Sequence, residues 1–401
     1  MSRESTVLLK RGAGFPLRNL DDKVLVVVGP SADDASVQAH TYHGTPFKWT
    51  TTLGALRQLV GSRTRIVSVA GCDRHSTDRS GFSAALAAAS SADAVVFVGG
   101  LDAHDEEEDT DRADFRLPGV QSALIGALAT AASARRVPFG VVIFSGGPIS
   151  EPALLQNDGV DSIFWSSYLG QTCQGMAEAL LGLTNPSGRL PFTVPVNESQ
   201  IGAITDYSMS AGNGRTYRYA RWGLATQRLR GARPCHTTVD PSSHSRSSRR
   251  ACRRRYLNTT AAPPLFPFGF GLSYSEWEYG AVTVSTSTVT LAPPGSPTLV
   301  SVSTSLSNVG TVAGMFVVQL FARFDRSAAV PLPALPKRQL LNFTKVSLEA
   351  GASTAISLEV DVGAIISIRH QMLPAKLHLW FGDADEATAK AKAELQLQLA
   401  A

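Results

Sequence analysis

The chain has 401 residues, 44% hydrophobic and 17% charged, a composition of folded globular domains rather than of a disordered chain. No run reaches the roughly 18 apolar residues a membrane-spanning helix needs, and Met1-Ser2-Arg3-Glu4 leads into no apolar core or cleavage site, so no signal peptide and no membrane partner are expected. The formal net charge is +4, but nine arginines against one aspartate give 226–255 a charge of +8; taking +8 from +4 leaves −4, which argues against nucleic acid as a partner.

In chain order, apolar runs at 24–28, 94–98, 139–144 and 162–165 each end in a turn or polar loop, as in Gly29-Pro30, Gly99-Gly100 and Ser145-Gly146-Gly147-Pro148. Continuous apolar runs suit strands covered on both faces. Between them, 83–92, 120–132 and 174–183 are rich in alanine and leucine at helical spacing. Strand and helix in alternation predict a doubly wound α/β/α sandwich, whose ligands sit outside the carboxyl ends of the strands. The arginine-rich stretch has no lysine, no glutamate and almost no aliphatic periodicity. It reads as a polyanion-binding loop or, preferably, as a disordered insertion or translated noncoding sequence. After it, 299–306, 317–321, 355–360 and 376–380 form short alternating strands between Gly, Pro and Asn turns, predicting an all-β sandwich. Cys72, Cys173, Cys235 and Cys252 are widely spaced and declare neither a disulfide framework nor a metal site.

The loop after the run at 94–98 carries the most chemistry. Seven carboxylates lie within ten positions of Gly100-Leu101-Asp102-Ala103-His104-Asp105-Glu106-Glu107-Glu108-Asp109-Thr110-Asp111-Arg112. Crowded acids raise one another's pKa, and a general acid must be protonated near neutral pH. A solvated acidic loop or a calcium-binding surface has the same composition. His104 alone reads as a surface histidine.

The pattern Gly-Leu-Asp-x-x-x-Glu-x-Glu-x-x-Asp-Arg followed by Leu117-Pro118-Gly119-Val120-Gln121 resembles the acid/base loop of family 3 glycoside hydrolases, most closely the β-xylosidase branch. Further segments match that family in order. They include Ser5-Thr6-Val7-Leu8-Leu9-Lys10, Val28-Gly29-Pro30, Ala70-Gly71-Cys72-Asp73, Tyr168-Leu169-Gly170-Gln171, Asn185-Pro186-Ser187-Gly188-Arg189-Leu190-Pro191-Phe192-Thr193 and Phe266-Pro267-Phe268-Gly269-Phe270-Gly271-Leu272-Ser273-Tyr274. The tail, with Val318-Gln319-Leu320-Phe321, Lys337-Arg338-Gln339-Leu340 and Phe381-Gly382-Asp383, resembles the family's fibronectin type III-like domain.

The resemblance implies a linker at 1–20, the family's α/β sandwich at 21–200, a connector at 201–280 containing the insertion 226–262, and a fibronectin type III-like sandwich at 281–401. It implies a retaining mechanism with two carboxylates, a β-linked oligosaccharide or glycoside as substrate, and no cofactor or metal. The acid/base falls on Glu106, with Glu108 second, because the family's Glu-Ala-Glu-Gly is here Glu106-Glu107-Glu108-Asp109. Asp111 and Arg112 shape the loop or, alternatively, only pair with each other. Trp49 offers either a face for a sugar ring or core packing. The nucleophile of this family comes from a preceding (β/α)₈ barrel, so the chain is expected to be truncated and inactive alone. The alternatives are a carbohydrate-binding remnant, a β-glucosidase-like member or an incomplete gene model. Secretion or vacuolar targeting is implied, with glycosylation sequons at Asn197, Asn258 and Asn342.

Overall fold

The computed structural model describes residues 2–41, 43–203, 205–210, 214–220, 263–291, 297–324, 336–363, 375–384, 386, 389 and 391–399. The arginine-rich segment 226–262, with Cys235, Cys252 and Asn258, lies outside the described residues.

The helical turn α1 (Ser2–Ser5) leads into β1 (Val7–Lys10), the first strand of a six-stranded sheet. β2 (Val24–Val28), β3 (Arg65–Val69), β4 (Ala94–Gly100), β5 (Phe139–Phe144) and β6 (Ser162–Ser166) complete it in the order β1-β6-β5-β4-β2-β3. Only β1, antiparallel to β6, departs from parallel pairing. All seven residues of β4 and all six of β5 are buried, because helices cover both faces. Val26, Val28, Val95, Phe97, Val141 and Ile143 pack toward α3 (Phe82–Ala89), α4 (Gln121–Arg135) and α5 (Pro152–Gln156). Their neighbours Leu25, Val27, Val96, Val98 and Val142 pack toward α2 (Thr52–Leu59) and α6 (Gln174–Leu180). Each such side chain, fully buried, contributes about 1.5–3 kcal/mol.

The strand order decides which helix goes where. From β2 the chain moves outward to β3 and then back past β2 to β4, so right-handed crossovers send α2 to one face and α3 to the other. The reversal between β2 and β4 is the crevice where ligands bind in such sheets. Residues 1–20, expected as a linker, contribute an edge strand, since Val7 and Leu8 are buried against β6 and the helices.

The second unit has two facing sheets. β10 (Leu299–Asn308) pairs with β13 (Ser353–Asp361), β7 (Trp277–Tyr279) and β8 (Thr283–Val284). The other sheet runs β12 (Gln339–Leu348), β11 (Gly314–Phe324), β14 (Ala375–Phe381), β15 (Lys392–Leu399), β9 (Thr288–Leu291). Val300, Val302 and Leu306 alternate inward from β10 to meet Val318, Leu320 and Leu379. The glycine- and aromatic-rich motifs form the seam between the two units. Asn185 Oδ1 accepts from Ser273 Oγ and from the Tyr274 N–H, each at 2.8 Å. Arg189 donates to the Gly271 carbonyl and stacks 4.5 Å from the Phe316 ring centroid.

Candidate active site

Gly100 ends β4 at φ +132°, and a Cβ there would lie 2.0 Å from the carbonyl oxygen of Phe144 on β5, so the chain leaves the sheet here only as glycine. The buried Gln121 side chain braces this exit: the Gly100 N–H donates to its Oε1 and its Nε2 donates to the Gly100 carbonyl, both at 2.9 Å. The acidic loop beyond consists of two turns, closed by Asp105 N–H donating to the Asp102 carbonyl at 3.1 Å and Thr110 N–H to the Glu107 carbonyl at 3.0 Å. Asp109, third in the second turn, has φ +68°. A turn with that conformation at its third residue favours glycine, and aspartate is one of the few other residues that tolerates it. Glu108 stands at the apex of this turn and is exposed, as are Glu107, Asp109 and Asp111.

Glu106 turns the other way, over the carboxyl ends of β5 and β6. Its side chain is 14% exposed. Oε1 accepts from the Gly146 N–H and from Tyr168 Oη at 2.6 Å. Oε2 accepts from the Gly147 N–H at 3.0 Å and faces Arg112 Nη2 at 3.4 Å. Both oxygens are therefore committed to donors from three separate segments. Burial, then the bond to Glu106, pushes the Tyr168 hydroxyl far above its ordinary pKa, so it stays a donor. Arg112 also donates to the Pro148 carbonyl at 3.1 Å. Arg112 pairs with Glu106 and points down to the loop after β5, while Asp111, its partner in the alternative reading, remains exposed.

The remaining acids are dispersed rather than crowded. Arg74, after β3, bonds Asp102 at 2.5 Å and Asp34, after β2, at 2.9 Å, tying three loops together. Burial alone would raise the Asp102 carboxyl, yet the Arg74 guanidinium and its hydrogen bonds hold it below the ordinary carboxylate range. Asp105 is pushed up, chiefly by burial rather than by its acidic neighbours. Trp49 is half-buried, its ring edge-on to His43 at 6.2 Å. It lies on the same end of the sheet as Tyr168, since the Thr50 N–H donates to the Gln171 carbonyl at 3.1 Å. Sequence reasoning did not single out Arg74, Gln121 or Tyr168 as partners of this loop. Gly146-Gly147 and Tyr168 were visible only as strand ends.

A sequence profile for the glycosyl hydrolase family 3 C-terminal domain matches residues 6–274, and one for a fibronectin type III-like domain matches 316–370. The chain belongs to glycoside hydrolase family 3. It is 28% identical over 387 residues to the probable beta-D-xylosidase 7 of Arabidopsis thaliana, covering 90% of this chain and 44% of that protein. It is 28% identical over 372 residues to a beta-xylosidase of Formosa agariphila, covering 90% of this chain and 44% of that protein. The chain thus spans less than half the length of these relatives. The fold matches a family 3 exo-beta-xylosidase bound to a xylobiose aziridine probe, with TM-score 0.76 and 23% identity over 99% of this chain and 47% of that one. It also matches the family 3 beta-glucosidase of Bifidobacterium adolescentis, with TM-score 0.72 and 23% identity over 99% of this chain and 52% of that one.

Proposed function

We propose that this chain forms the acid/base half of a retaining β-glycosidase site acting on β-xylosides, with Glu108 as the acid/base carboxyl and Glu106 as the anchor that presents it. One observation carries the assignment. Both oxygens of Glu106 are taken up by Gly146, Gly147, Tyr168 and Arg112, whereas Glu108, two residues on, stands exposed at the turn apex. A general acid must place a carboxyl oxygen within about 2.6–3.2 Å of the glycosidic oxygen, which lies outside this chain's surface. This proposal reverses the order expected from sequence, Glu106 first and Glu108 second.

In the first step a carboxylate nucleophile, supplied from outside these residues, attacks the anomeric carbon while Glu108 gives its proton to the departing oxygen. In the second, Glu108 as carboxylate takes a proton from the water that releases the sugar. Xylose is favoured because the relatives at 28% identity are named xylosidases. Xylan-derived oligosaccharides and a secreted or vacuolar setting belong to the same proposal. The test is turnover of an aryl β-xyloside by the purified chain alone. No turnover is expected; turnover abolished by Glu108→Gln would show that the chain holds a complete site and contradict the half-site reading.

A further inference from the structure

We propose that His75, His104 and Asp105 form a binding site for a divalent transition cation of the zinc type, with Asp102 orienting His75. The three side chains come from the loops after β3 and β4, and their ligand atoms lie within 4.8 Å of one another. His75 Nδ1 is 3.3 Å from Asp105 Oδ1. That separation is the edge of a tetrahedron with metal bonds of about 2.0–2.1 Å. The His104 ring lies beside the His75 ring, with centroids 4.6 Å apart, and is exposed enough to rotate onto the same point.

The surroundings supply the second argument. His75 Nε2 is 3.3 Å from Asp102 Oδ1, and Asp102 is itself held by Arg74. A carboxylate at one ring nitrogen supports a histidine that ligates a metal through the other. With its proton on Nε2 toward Asp102, His75 would present the Nδ1 lone pair toward Asp105 Oδ1. The other Asp105 oxygen accepts from the Asp102 N–H at 3.1 Å, so the carboxylate is braced with one oxygen toward the histidine. Two imidazoles and one carboxylate suit zinc, cobalt or nickel, whereas calcium and magnesium favour sets of six or more oxygens. The expected absence of a metal site rested on the family resemblance and on the spacing of the cysteines, and no local spacing reports ligands brought together from positions 75 and 104. His104 and Asp105 immediately precede Glu106, so a bound cation would fasten the start of the acidic loop to the loop after β3.

Calorimetric titration of the full chain with zinc chloride in chelator-free buffer tests this, with cobalt absorption as a check on geometry. One equivalent should bind. His75→Ala and His104→Ala should each weaken binding at least tenfold, and Asp102→Asn by about 10–100-fold. His40→Ala should leave binding unchanged. His104 is exposed, so its variant retains the fold and the comparison holds even if another variant does not fold. The proposal is overturned by absence of zinc binding, by binding that survives both histidine substitutions, or by calcium binding as tightly as zinc.

Discussion

Replacing Glu106 with glutamine probes the anchor directly. The substitution keeps the shape of the side chain and removes the charge. Turned toward the Gly147 N–H and Arg112, the amide NH₂ meets two donors; turned the other way it meets the Gly146 N–H, while Tyr168 Oη can rotate its proton away and accept, so in either orientation at least one donor loses its acceptor. Hydrogen bonds to a charged group contribute about 1.5–3 kcal/mol each, and an unsatisfied buried donor costs about 1–3 kcal/mol. The carboxylate is 14% exposed, so local rehydration recovers only part of the loss. A destabilisation of about 2–4 kcal/mol follows, which for a domain of this size lowers the melting temperature by about 5–10 °C. Glu108→Gln, at an exposed turn, should stay within about 0.5 kcal/mol of the parent. The assay is thermal unfolding of the three proteins followed by near-ultraviolet circular dichroism. Equal melting temperatures for Glu106→Gln and the parent would refute the anchor role.

Other consequences are independent of catalysis. Gly100→Ala should cost at least about 3 kcal/mol and give little soluble protein, because the new Cβ falls 2.0 Å from the Phe144 carbonyl in the centre of the sheet; expression at parental yield and melting temperature would contradict this. The hydrogen bond from Arg3, Nη2 to Oε1 at 2.6 Å, holds the Glu178 carboxyl below its ordinary range. A carboxyl depressed in the fold stabilises above its unfolded pKa of about 4.3, and the stabilisation is lost as pH falls through the lower folded value. Glu178→Gln should therefore lower the melting temperature at pH 7 and converge with the parent below about pH 4; a constant gap across that range would contradict the linkage. Burial pushes the Cys72 thiol up to about 11 and the Cys173 thiol to about 12. Iodoacetamide at pH 8 should label neither peptide until denaturant is added, as read by mass spectrometry, and native labelling of Cys173 would contradict its burial.

The parallel strands were legible because their burial leaves no choice of residue: Val24–Val28 and Phe139–Phe144 are apolar throughout, and a strand covered on both faces needs that. β1 and β3 escaped for the converse reason. Val7–Lys10 spans four residues, too few for a period, and Arg65–Val69 is an edge strand whose exposed polar residues, Arg65 and Ser68, break the apolar run. The acidic loop was legible as chemistry but not as geometry. Nothing local to Glu106 distinguishes it from Glu108; the distinction comes from Gly146, Gly147 and Tyr168, some 40 and 62 positions away in sequence. The same holds for Arg112, which has an acid on its N-terminal side yet pairs with Glu106. Crowding of charge, the reason the loop drew notice, is relieved in space by Arg74 and Arg112 and by exposure of the outer acids. The Asn-Pro-Ser-Gly-Arg and Phe-Gly-Phe-Gly motifs are bonded to each other, and the first of them reaches the second unit through Asn185 Nδ2 donating to the Ala313 carbonyl and Arg189 over the Phe316 ring.

The division of roles between the two glutamates is tested most directly by leaving-group dependence, measured after joining this chain to the barrel domain of a family 3 β-xylosidase. Glu108→Gln should reduce kcat/KM for xylobiose by about 10²–10⁴-fold while sparing kcat/KM for a dinitrophenyl β-xyloside, whose leaving group needs no proton; kcat for the latter should fall because sugar release loses its base, and azide should restore it. Glu106→Gln should lower stability without changing that dependence. A leaving-group-selective loss in Glu106→Gln, with Glu108→Gln behaving as the parent, would contradict the account.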